Sequence, residues 1–85
     1  MDVLGRDSSR EAYRVAIGGP EDRVIGLIPD AVISSRMALT GGRGHQTAYD
    51  WIATHKDQIE LTLRALAEGR KISRAPFDRM VLEED

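Results

Sequence analysis

Residues 41–45 read Gly41, Gly42, Arg43, Gly44 and His45, a combination suited to holding an anion. Glycine lets successive backbone N–H groups turn toward one point, and a helix N-terminus just beyond them favours negative charge. Arg43 and His45 add side-chain donors for a phosphate or a carboxylate. Gly42, Arg43, Gly44 and His45 are therefore one candidate anion site. The full phosphate loop, with Gly-Lys-Ser/Thr, is missing, and no dinucleotide fingerprint is present. A plain glycine-rich linker between two helices is the competing reading, and the commoner one for these residue types.

The second candidate is cationic. Arg64, Arg70, Lys71, Arg74 and Arg79 fall within sixteen residues, with only Glu68 and Asp78 against them. Guanidinium forks suit phosphates, so Arg64, Arg70, Lys71 and Arg74 form a candidate nucleic-acid patch, which Arg14 would be placed to join. A nucleic-acid site usually adds stacking aromatics, and here Tyr13 and Phe77 alone qualify, outside any recognised RNA or DNA motif. Helix capping and surface charge account for the same cluster without a ligand.

Catalysis finds less support. His45 and His55, the two imidazoles, stand ten residues apart, roughly 280° round a helix, so they cannot form an i, i+4 metal pair. His55 falls inside an apolar stripe and reads as a hydrogen-bonded core or interface residue rather than a catalytic base. Ser34 and Ser35 lack the context of a nucleophile elbow. Cysteine is absent, which removes disulfides, thiolate metal sites and a cysteine nucleophile. No enzyme, no cofactor and no metal site is expected.

The element that must position these groups is a helix over 46–68. Ala48, Ile52, His55, Ile59, Thr62, Leu63 and Leu66 recur at steps of three and four, which stack on one helical face. Gly69 follows where a left-handed C-terminal cap is usual. As one rod this helix would be about 34 Å long. Ahead of it, 11–18 alternates, with Tyr13, Val15 and Ile17 on one face, and 23–28 is apolar on both sides. The turn chemistry of Gly18, Gly19 and Pro20 joins them as an antiparallel hairpin. Gly26 marks a bulge or a close backbone contact. Pro29 and Asp30 open a short helix, and 76–82 closes the order as a third strand.

The expected fold is therefore α+β, a small antiparallel sheet in the order β-β-α-α-β with one long helix packed across one face. Residues 1–10 read as a flexible arm, 11–82 as a single domain, and 83–85 as a frayed acidic tail. Which sheet face meets the helix stays open. Val24 and Ile28 oppose Ile25 and Leu27, and Met80 and Leu82 oppose Phe77 and Val81.

At 85 residues and a net charge of −2, the chain has no global pull toward nucleic acid. The start of the sequence lacks the basic flank and apolar run of a signal peptide, and no stretch approaches the roughly 20 apolar residues that span a bilayer. A cytoplasmic setting and no membrane partner are expected. A sheet apolar on both faces carries more grease than one helix can cover, and a domain of this size buries only about 60–65% of its unfolded surface. A homodimer is the consequence, with Trp51, Leu61, Phe77 and Val81 as its interface and a further protein partner unspecified.

The run from Val24 to Ile28 into Ala31 and Val32, followed by Ile52, Lys56, Ile59 and Glu60 on the long helix, resembles a family of small bacterial proteins of unknown function. That family tends to carry an aromatic where Ile52 stands and an arginine where Lys56 stands. The resemblance implies the same element order and a bacterial cytoplasmic origin, and brings no activity. The leading function is a bacterial interaction or accessory protein acting as a homodimer. The alternative is a nucleic-acid-binding module.

Overall fold

A computed structural model describes residues 1–34 and 44–83, with the backbone alone for 44–46. Four strands form one antiparallel sheet: β1 (Asp2–Asp7), β2 (Ala12–Ile17), β3 (Val24–Pro29) and β4 (Val81–Leu82), in the order β1-β2-β3-β4. After β3 the chain is helical over 30–34, as the short helix expected at Pro29 and Asp30 requires, and two further helices among the described residues are α1 (Gly44–Thr54) and α2 (Lys56–Ala67). The α+β class and the β2–β3 hairpin match the expectation, with Tyr13 opposite Ile28 and Ile17 opposite Val24. The Asp22 carboxylate closes the hairpin turn by accepting from the Gly19 N–H at 2.6 Å.

Four departures from the expected layout have physical causes. Residues 2–7 are not an arm but the edge strand β1, in register with β2 from Asp2↔Ala16 to Asp7↔Ala12. The Asp7 carboxylate accepts from the Ser9 N–H at 3.0 Å and the Ser9 hydroxyl at 2.7 Å, which folds the chain back through an Asx turn. Such a return depends on one side chain and leaves no periodic signal.

The second departure is the break at His55. His55 has φ −103° and ψ 18°, outside the helical basin, and divides the expected rod into α1 and α2. Two successive side chains bond backward there: Thr54 Oγ1 donates to the Asp50 carbonyl, and His55 Nδ1 bonds the Trp51 carbonyl, each at 2.8 Å. Back-bonding of this kind bends helices, and it does so here with the ladder kept, the His55 N–H on the Trp51 carbonyl at 3.1 Å and the Ile59 N–H on the His55 carbonyl at 2.9 Å. The apolar stripe nonetheless continues across the break. Ala48, Ile52, Ile59, Thr62 and Leu63 are all buried, and Thr62 satisfies its hydroxyl on the Gln58 carbonyl at 2.8 Å.

The third departure is 76–82. Only Val81–Leu82 is strand, and Phe77–Arg79 is a 3-10 turn after a cis Ala75–Pro76 bond. Residues three apart eclipse in a 3-10 turn, so Phe77 and Met80 both enter the core where strict alternation would have separated them. The fourth is Glu83, expected to fray. Its N–H bonds the Ile25 carbonyl at 2.8 Å, extending the β4 pairing by a residue. Glu84 and Asp85 lie outside the described residues.

The open question of the sheet faces has a clear answer. Tyr13, Val15, Ile17 and Ile28 enter the core with Ile59 and Leu63 of α2, while Val24 and Leu82 pack against it. Ile25 and Leu27, alternating with them on β3, and Val81, paired with Leu27, point to the opposite face. Among the described residues no helix packs on that face, where the Arg14–Glu83 ion pair crosses β3.

Candidate functional site

The cationic residues gather where α2 ends. Its C-terminus is closed by a Schellman motif, with the Gly69 N–H on the Leu66 carbonyl at 3.0 Å and the Arg70 N–H on the Ala65 carbonyl at 2.8 Å. Gly69 takes φ +78°, the left-handed geometry expected of it. The chain then turns back, so that Arg70, Lys71, Ile72, Ser73 and Arg74 run beside α2. Gln58, Leu61, Thr62 and Ala65, spaced three and four apart on one side of that helix, form the facing wall. Between them lies an open groove of about 280 Å³.

Three cations and no carboxylate line this groove. Arg70, Lys71 and Arg74 are exposed. Glu68 lies 3.1 Å from Arg70, but both side chains are largely in water, where such a pair holds weakly. Arg74 Nη1 reaches Gln58 Oε1 at 3.5 Å, the long limit of a hydrogen bond. No acceptor among the described residues takes the backbone N–H of Lys71, Ile72 or Ser73. The groove thus presents positive charge beside backbone donors that no described acceptor takes, a setting for an anion.

Two of the expected cations are elsewhere. Arg64 lies beyond Leu61 in a depression that also holds Asp57 and Glu60, where acids oppose it. Arg14 stands on the helix-free face of the sheet. Its Nε and Nη2 clasp Glu83 at 2.7 and 3.0 Å, and Arg10 bonds the same carboxylate. These bonds, Arg14 first, hold the Glu83 carboxyl below its usual 4.5, and the Arg14 guanidinium is raised in return. Asp7, 3.4 Å from Arg10, joins the cluster; its carboxyl is lowered chiefly by the Ser9 hydroxyl.

Of the proposed anion loop, Gly42 and Arg43 lie outside the described residues, as does the His45 side chain; Gly44 opens α1. Of the proposed interface, Phe77 is 4% exposed and belongs to the monomer's own core. Trp51 is half-buried, stacked on His55 with centroids 4.4 Å apart and 6.2 Å from Phe77. His55 is thereby a hydrogen-bonded, stacked residue at the helix break. Leu61 is 62% exposed and Val81 51% exposed, but they do not share a surface. Leu63 points at the sheet, so Leu61, about 200° round α2, points away from it, while Val81 projects from the opposite side of the sheet.

Sequence reasoning passed over Ile25, Leu27 and Glu83 as a surface, and Gln58 and Ser73 as groove walls. Alternation in β3 had isolated Ile25 and Leu27 as a pair without deciding which way they faced. Comparison of the chain with protein-family models, with curated proteins and with solved structures finds no match.

Proposed function

We propose that the protein is a non-catalytic interaction module that works as a homodimer through the helix-free face of its sheet. One observation carries this reading: Ile25, Leu27 and Val81 form an apolar stripe on the sheet face that no described helix covers. Ile25 and Leu27 are half-buried and Val81 half-exposed, so a covering surface would remove further apolar area from water. On the same face the Arg14–Glu83 ion pair crosses over β3, and with Arg10 and Asp7 it sets two cations against two carboxylates. A face whose charges cancel does not repel its own copy, and a two-fold dimer needs that self-complementarity. A bacterial cytoplasmic setting belongs with this reading, in keeping with the absence of cysteine.

The test is solution mass by light scattering across a dilution series, for the parent chain and for Leu27→Glu. Dimer for the first and monomer for the second is the expected pair of results. A parent chain that stays monomeric at high concentration overturns the reading.

A second reading, a nucleic-acid-binding module, is favoured by the carboxylate-free groove lined by Arg70, Lys71 and Arg74. It requires affinity for a single strand that falls steeply with added salt.

A further inference from the structure

The groove at the end of α2 joins two chemistries that a bare basic patch does not. Arg70, Lys71 and Arg74 line it, and no acceptor among the described residues takes the N–H groups of Lys71, Ile72 and Ser73 in the same loop. Its facing wall carries Leu61, 62% exposed, and Ile72 is half-buried within the lining. Among the described residues Leu61 belongs neither to the core nor to the side chains packed against it. Next to three cations it offers a flat apolar body somewhere to rest while an attached anion is held.

We propose that this groove binds a nucleotide unit, phosphate on Lys71 and Arg74 with Arg70 in support, and base against Leu61 and Ile72. This rests on the nucleic-acid reading and deepens it by naming the recognised unit. The groove, about 280 Å³ and open to solvent along its length, has room for such a unit. Arginine meets phosphate through its fork and lysine as a point charge, so the pair serves a single phosphoryl group. Leu61 gives tolerance of base identity, because contact with a base face reads no hydrogen-bonding edge. The unit can come from a free nucleotide or from a single strand.

The experiment follows the amide resonances of 70–74 while inorganic phosphate, uridine monophosphate or a ten-nucleotide oligouridylate is added at low salt. The same titrations are run on Leu61→Ala and on Lys71→Ala/Arg74→Ala, all surface changes that leave the core alone. The nucleotide is expected to bind about tenfold more tightly than inorganic phosphate, with Leu61→Ala removing that advantage. The double variant is expected to weaken nucleotide and strand alike by tenfold or more. Binding of the oligonucleotide alone, weakened by both variants, also supports the site and identifies a strand as the source. Equal affinity for phosphate and nucleotide, indifferent to Leu61→Ala, overturns the proposal. A strand that binds with steep salt dependence but ignores both variants overturns the groove and leaves the nucleic-acid reading to another surface. Silence of all three probes overturns both.

Discussion

Leu63 of α2 occupies the space that a side chain at Gly26 of β3 would need. A Cβ added to Gly26 would overlap the Leu63 Cδ2 methyl and stand 3.1 Å from its Cγ and Cδ1. Helix and sheet meet at this point, both residues are buried, and the missing side chain lets α2 approach the strand. Everything at the far end of α2, the cationic groove included, is placed by this approach.

Gly26→Ala should therefore destabilise the fold by about 1–3 kcal/mol through overpacking. Leu63→Ala alone should cost about 2–5 kcal/mol by leaving a cavity. The two effects should not add: with Leu63 shortened, the added methyl at Gly26 has room and its cost should shrink or vanish. Urea denaturation of both single variants and the double variant reads the coupling, and strict additivity would contradict the contact.

Gly69 tests the local geometry that opens the groove. A Cβ there meets open space, so crowding plays no part, yet φ +78° is costly for any side chain. Gly69→Ala should lose about 1 kcal/mol, with Gly69→Asn closer to the parent because Asn tolerates this conformation. Thermal melts rank the three chains.

Acid should loosen the helix-free face. In the folded chain the Glu83 carboxyl sits below its usual 4.5, through its bonds to Arg14 and then Arg10, and Asp7 sits below its usual 3.8. A lowered folded value means the bound state favours the carboxylate. The contribution is complete above the unfolded values and is lost as pH falls through the lowered ones. Urea midpoints should decline below about pH 4.5, and Glu83→Gln should start lower at neutral pH and decline less. An acid limb identical in the two chains would remove Glu83 from the account.

Self-association should track the sheet rather than the helix. Leu27→Glu and Val81→Lys each put a charge into the apolar stripe and should raise the dimer dissociation constant by tenfold or more. Leu61→Lys, a charge of similar reach on the opposite side of the molecule, should leave it unchanged. Sedimentation across concentration compares them, and sensitivity to Leu61 with indifference to Leu27 would move the interface to α2.

Much of the frame was legible in the order of residues. The stripe of Ala48, Ile52, Ile59, Thr62 and Leu63 is a local periodicity, and the burial of those residues followed it even across the break at His55. Gly69 as a cap, the β2–β3 hairpin and a close contact at Gly26 were readable for the same reason, since each depends on a residue's own backbone chemistry. Tertiary structure decided what depends on partners distant in sequence. β1 is a strand because β2 offers it an edge. Phe77 and Met80 enter the core together because the chain curls at Pro76, and Glu83 is held because Arg10 and Arg14 arrive from another strand. The division of the basic residues is of the same kind: Arg70, Lys71 and Arg74 share a groove, while Arg64 and Arg14 face acids elsewhere. Spacing along a chain sets which residues share a face, but the packing of helix on sheet sets which faces meet.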